Sequence, residues 1–242
     1  TALRAVRRTF CAAGLFVAVV FPATSASADH WDTALGGQLY DNWFVVLMLD
    51  PPLTSHPLYP ADGPLFGLAT WRCVACHGWD YRGATGASRF SANPAVGPGI
   101  DHLRLTREQD ILESILAEGH GFDPEMLPLR AWKRLAHFVS VGQVDTTRYI
   151  DDRSRDVVQQ SGQGSVWFAT LCRTCHGSDG KAIPLHRDSG APTLGEIANV
   201  EPWRVLHKIR NGMPATGMVA LPQLDPAVQA GILAYVQTLP RR

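Results

Sequence analysis

Two stretches of the chain could do chemistry by their residue types and spacing: Cys73-Val-Ala-Cys76-His77 and Cys172-Arg-Thr-Cys175-His176. In each, two thiols three positions apart are followed at once by an imidazole. Thiols so placed can reach two vinyl groups on one edge of a porphyrin, and the adjacent imidazole can then meet the iron from one face. A dithiol redox pair also uses Cys-x-x-Cys, but neither stretch lies beside a βαβ pattern. A zinc site is a poorer fit, because the histidine abuts the cysteine instead of standing at finger spacing. The expectation is covalent haem at both places, two haem c groups in all. Cys73, Cys76, Cys172 and Cys175 would be the attachment points, with His77 and His176 as proximal ligands.

The rest of the chain is consistent with an exported protein. Arg4, Arg7 and Arg8 precede an apolar run from Phe10 to Phe21, and Ala26-Ser27-Ala28 offers small residues for cleavage, the pattern of an export signal over 1–28. A run of twelve is short of the about 20 residues needed to cross a bilayer. Removal of 1–28 leaves 19 basic against 22 acidic groups, a net charge of −3, which disfavours nucleic acid as a partner. The fifth cysteine, Cys11, lies in the signal, so every remaining cysteine belongs to a Cys-x-x-Cys-His stretch. A periplasmic location is expected.

The motifs stand 99 residues apart, and a weak repeat accompanies them. Ala69-Thr70 and Ala169-Thr170 precede the motifs, and each half closes on an apolar-periodic stretch, Trp132 to Val139 and Val228 to Val236. In the second half, Pro202 opens a helix and Asp225-Pro226 caps another. In the first half, Thr106 is expected to cap a helix over 107–117 that ends at Gly119. Neither half has an alternating strand run. The expected fold is all-α: a signal at 1–28, an aromatic and proline-rich extension over 29–62 wrapping the first domain, domain one at 63–142, a solvated connector at 143–162 and domain two at 163–242.

These motifs resemble the class I cytochrome c family. The resemblance is greater to exported dihaem cytochromes, through Gly37-Gln-Leu-Tyr-Asp-Asn-Trp43, Thr70-Trp-Arg-Cys-Val-Ala-Cys-His-Gly-Trp-Asp-Tyr81 and Gly142-Gln-Val-Asp145. It implies two tandem domains, each wrapped around a haem, and electron transfer with redox-protein partners, which include docking to a membrane complex. Thiosulfate-oxidising dihaem cytochromes share the architecture, so an oxidoreductase acting on a small sulfur oxyanion is the enzymatic alternative, and a dihaem peroxidase a third reading. For the second haem the distal ligand is Met218 by the family's Asn-Gly-x-Pro loop, with Met213 as its rival. For the first, repeat offsets of 97 to 99 carry Met218 back to His120, with Met126 as alternative and His102 behind both. His30, His56, His137, His186 and His207 are assigned to packing or surface. Trp71, Trp79, Tyr81, Trp167, Phe168 and Trp203 are candidates to pack on the porphyrins, and Arg72, Arg82, Arg173 and Lys181 to balance propionates.

Overall fold

The computed structural model describes residues 25–91, 93–183 and 192–241. The expected signal therefore lies outside the described residues except for its last four positions, which begin the first helix. Among the described residues there is no strand, only one isolated bridge between Ile150 and Val157, and the protein is all-α. None of these helices is long and apolar enough to cross a membrane.

Among the described residues nine α-helices form the frame. In the first half α1 (Ser25–Leu47), α2 (Cys73–His77), α3 (Glu108–Leu116) and α4 (Leu129–His137) enclose one core; in the second, α5 (Gly164–Trp167), α6 (Arg173–His176), α7 (Leu194–Val200), α8 (Pro202–Asn211) and α9 (Pro226–Gln237) enclose another. Each core is closed by a helix crossing in which a glycine lets two backbones meet. A Cβ on Gly36 of α1 would overlap the Arg134 carbonyl of α4, and one on Gly164 of α5 would overlap the Gly231 carbonyl of α9. A side chain at either point would push the helices apart.

Local chemistry accounts for the helix ends. Asp225 accepts the Ala227 N–H at 2.7 Å and Pro226 takes the first turn of α9. Pro202 opens α8, and Gly212 at φ +77° closes it, as such residues favour. Thr106 does not cap α3, contrary to expectation. Its N–H is held by the Leu103 carbonyl, and α3 starts at Glu108, where Arg107 and Asp110 pair across the first turn at 2.5 Å. The helix stops at Leu116, and the positive-φ residue that turns the chain is Gly121 rather than Gly119.

Two segments differ from the sequence expectation. Residues 29–62 do not simply lie over the first half: α1 drives Leu39, Tyr40, Trp43 and Phe44 into its core. The helix bends at Asn42, which leaves helical geometry and caps the continuation by accepting the Val45 N–H at 3.2 Å. The connector 143–162 is not solvated throughout either. Asp151–Asp156 is largely surface, but Val144, Tyr149 and Ile150 are buried in the second core.

The halves are joined along a seam between α1 and α8. Asp41, 2% exposed, pairs with Arg72 at 2.5 Å and with Lys208. His207, also 2% exposed, donates from Nε2 to the Gly37 carbonyl at 3.0 Å and accepts from the Tyr81 hydroxyl at Nδ1, 2.8 Å away. Gln38 donates to the Asn211 carbonyl at 2.8 Å, and Arg210 to the Gly142 carbonyl at 2.9 Å.

Candidate haem sites

In the first half, the Cys-x-x-Cys-His stretch is itself a helical turn, α2, ended by Gly78 at φ +74°. It lines one wall of a cavity of about 700 Å³ whose other walls include Tyr40, Trp43, Phe122 and Trp132. That volume is in the range of a cofactor site, about 300–1,000 Å³. Cys73, Cys76 and His77 all face it, and so does His120. The rings of His77 and His120 stand 6.0 Å apart between centroids. Two imidazoles that share one metal at about 2.0 Å would place their centroids about 6.3 Å apart, and the observed separation is close to that.

The ring orientations suit ligation. His77 Nδ1 donates to the Pro98 carbonyl at 2.8 Å, which fixes the tautomer and leaves the Nε2 lone pair free. Pro98 can approach this closely because Gly97 lies against Cys76: the Gly97 N–H donates to the Cys76 carbonyl at 2.8 Å, and a Cβ there would crowd the cysteine at 2.9 Å. His120 Nδ1 lies 3.4 Å from the Ser114 carbonyl, the same sense with a longer reach. Burial pushes His77 down to about 4, opposed by the Pro98 carbonyl and reinforced by His120; burial lowers His120 as well. Both rings are therefore neutral at pH 7, the form that binds metal.

The thiols point the same way. Burial, with the neighbouring cysteine, pushes Cys73 up to about 12 and Cys172 up to about 11, opposite to the lowered values of dithiol redox centres. Among the described residues no group of three or more His, Cys, Asp or Glu side chains is arranged to hold a bare metal ion.

Of the other residues named from sequence, Met126 packs against the first core and does not line the cavity, whereas His102 does, from an exposed position. Trp71, Trp79 and Tyr81 are not in the cavity wall. Trp71 backs it, donating to the Thr54 carbonyl at 2.8 Å; Tyr81 serves the seam; Trp79 lies beside Lys208, Arg204 and Arg72 at 5.3, 6.0 and 6.0 Å. Arg82 is held by Asp80 and by both oxygens of Asp152, so it is engaged within the protein; Arg72 is similarly held by Asp41 although it reaches the cavity. His56, assigned to packing, is a wall residue. Pro98 and Phe122 went unnoticed in the sequence; the Gly97-Pro98-Gly99 run was the available signal for the first.

In the second half α5 runs through a π-helical turn, Phe168–Cys172, into α6, and Gly177 at φ +77° ends the motif as Gly78 does the first. Cys172 and His176 are half-buried and Cys175 is exposed. His176 Nδ1 is buried with no hydrogen-bond partner among the described residues. The chain then enters 184–191, outside the described residues, and His186 with it. Trp203 and Phe168 belong to the second core, Trp167 borders it, and Arg173 and Lys181 are exposed. Met213 is 39% exposed and Met218 half-buried, in a loop whose ends are joined by the Leu221 N–H to the Arg210 carbonyl at 2.9 Å.

A helical body that presents Cys-x-x-Cys-His at the turn of a short helix has the features of a c-type cytochrome, an electron-transfer protein carrying haem c. Residues 159–236, about a third of the chain, match the family described as cytochrome c oxidase, cbb3-type, subunit III. No curated protein matches the sequence.

Proposed function

We propose that the chain is an exported dihaem cytochrome c that relays electrons in the periplasm, from a dehydrogenase or quinol-oxidising complex to a downstream carrier or reductase. The observation that carries this reading is the pair His77 and His120, with ring centroids 6.0 Å apart, lining one cavity with Cys73 and Cys76. The glycine-mediated helix crossing in each half and the second Cys-x-x-Cys-His support a tandem pair of haem domains.

Haem c supplies reversible one-electron exchange at its iron. Cys73, Cys76, His77 and His120 would hold the first haem; Cys172, Cys175 and His176 would hold the second, with Met218, or Met213 in its place. The chain's own residues keep the imidazoles neutral, orient them through the Pro98 and Ser114 carbonyls, and surround the first site with apolar groups that exclude water. Imidazole in place of thioether lowers potential, so with these ligands the first haem would have the lower potential and would be the donor to the second.

A redox titration with near-infrared spectroscopy of the ferric protein tests this. The expected result is two potentials, the lower on the first haem, and a methionine–iron band for one haem alone. Met218→Ala is expected to abolish that band and Met213→Ala to leave it; the reverse outcome assigns Met213. A single undifferentiated potential removes the directed relay. Turnover with thiosulfate replaces the carrier with the oxidoreductase reading.

A further inference from the structure

The two halves differ in one insertion. Gly164 stands eight residues before Cys172, but Gly36, at the corresponding helix crossing, stands thirty-seven before Cys73. Most of the difference is the segment 48–66, which contributes His56 to the cavity wall. His56 is 4% exposed and tied down: its own N–H donates to Thr70 Oγ1 at 2.8 Å, and its Nδ1 accepts the Leu58 N–H at 3.2 Å. An accepting Nδ1 in a neutral ring places the proton on Nε2. That Nε2 is buried and has no hydrogen-bond partner among the described residues, a position that polar groups rarely occupy without purpose.

The neighbours of this ring are the loop that carries His120. A Cβ on Gly121 would lie 3.0 Å from His56 Cε1 and 3.3 Å from Nε2, and the His120 backbone carbonyl is close enough to act on the ring. Phe122 joins the parts: its ring lies 5.1 Å from His56, 5.6 Å from Trp71, 5.7 Å from His120 and 5.7 Å from Trp132. Trp71 is two residues before Cys73 and packs on His56 at 4.5 Å. The inserted segment is thus wedged between the haem-attachment turn and the distal loop.

We propose that His56 is a positioning residue for the distal ligand: its ring, seated against Gly121 and Phe122, and its Nε2–H, turned to the His120 loop, keep His120 on the cavity side. The inference rests on His120 being the distal ligand of the first haem. On this reading the insertion is what gives the first haem a tightly held second imidazole, an arrangement for which the eight-residue step from Gly164 to Cys172 leaves no corresponding segment.

The test uses the full haem-loaded protein and its His56→Leu, His56→Gln and Leu53→Ser variants. Electron paramagnetic resonance of the ferric state and the rate of carbon monoxide binding to the ferrous state are measured on each. Wild type is expected to show a bis-imidazole low-spin signal and slow binding at the first haem. His56→Leu is expected to convert part of that signal to high-spin and to speed binding by about fivefold to tenfold, the order of effect of taking one buried N–H donor away from the His120 loop. His56→Gln keeps an N–H donor and is expected to recover most of the wild-type behaviour; Leu53→Ser, 86% exposed in the same segment, is expected to change neither. A wild-type signal and rate in His56→Leu overturns the role of His56. Absence of a bis-imidazole signal in wild type overturns the ligation reading beneath it, and is seen before any variant is made. If His56→Leu does not accumulate, His56→Met withdraws the donor in the same way, and wild-type binding in it overturns the proposal.

Discussion

His207 makes the seam between the halves sensitive to acid, and the size of the effect can be worked out. The ring is buried between α1 and Tyr81, and both nitrogens are used as a neutral imidazole uses them. Burial is the largest cause pushing it down; Asp41 opposes, Lys208 adds to the fall, and the outcome is about 4 against an ordinary 6.5. Between those values the unfolded chain binds a proton that the folded protein refuses. Stability therefore declines as pH falls from about 6.5 to about 4, by about 1.4 kcal/mol per unit in mid-window and about 3 kcal/mol in all. The assay is guanidinium unfolding of the ferric protein at pH 7.5, 6.0, 5.0 and 4.5, for wild type and for His207→Gln. A glutamine side chain does not titrate, so the variant is expected to be weaker at pH 7.5 but flatter across the window. His77 and His120 contribute equally to both proteins and cancel in the difference. Equal slopes would refute the reasoning.

Two further substitutions probe the frame. Gly164→Ala puts a methyl into the Gly231 carbonyl at the α5–α9 crossing, and overpacking of this kind costs about 1–3 kcal/mol; thermal unfolding of the second half is expected to move down, whereas Gly217→Ala, where the added Cβ meets nothing, leaves it in place. Asp41→Asn removes the carboxylate shared by Arg72 and Lys208. Burial would raise that carboxyl, but Lys208, Arg72 and His207 together hold it below its ordinary value, so its contribution is present above about pH 4 and lost as pH falls through the folded value. At pH 7 Asp41→Asn is expected to cost about 3 kcal/mol by denaturant titration, because it strands a buried ammonium, and Lys208→Met added to it is expected to restore most of the loss.

The α8 and α9 helices were legible because each carries its own local signal, a first-turn proline and an Asp cap. The repeat offset singled out His120, which lines the same cavity as His77, since motif and last helix keep nearly the same spacing in both halves. The core role of α1 was not legible, and the reason is physical. This helix packs on α2, α4 and α8, so apolar and aromatic residues occupy several of its faces and no single stripe at the helical period stands out. The connector misled in the opposite way, as the charges of 151–156 masked Tyr149 and Ile150 just before them. Pro98 acts through its carbonyl, which no residue type announces. His56 acts through a contact with Gly121, sixty-five positions away, which only the folded chain creates.

The seam holds groups that a simple apolar contact would not need: a carboxylate with two cations, and an imidazole bonded at both nitrogens. Buried ionic groups add little net stability over apolar residues of the same size, but each has few geometries in which its partners are satisfied. Here the partners come from α1, from the residue before Cys73 and from α8, so satisfying Asp41 fixes the first motif against the helix that leads into the Met213–Met218 loop. His207 does the same for Gly37 and for Tyr81, four residues after His77. A slip of α8 by one residue would take Lys208 and His207 away from their partners in the interior and leave Asp41 with Arg72 alone. For a protein proposed to pass electrons between two haems this is the relevant property, since the transfer depends on a constant separation. The polar seam specifies that separation, and the two apolar cores on either side supply the stability that lets it do so.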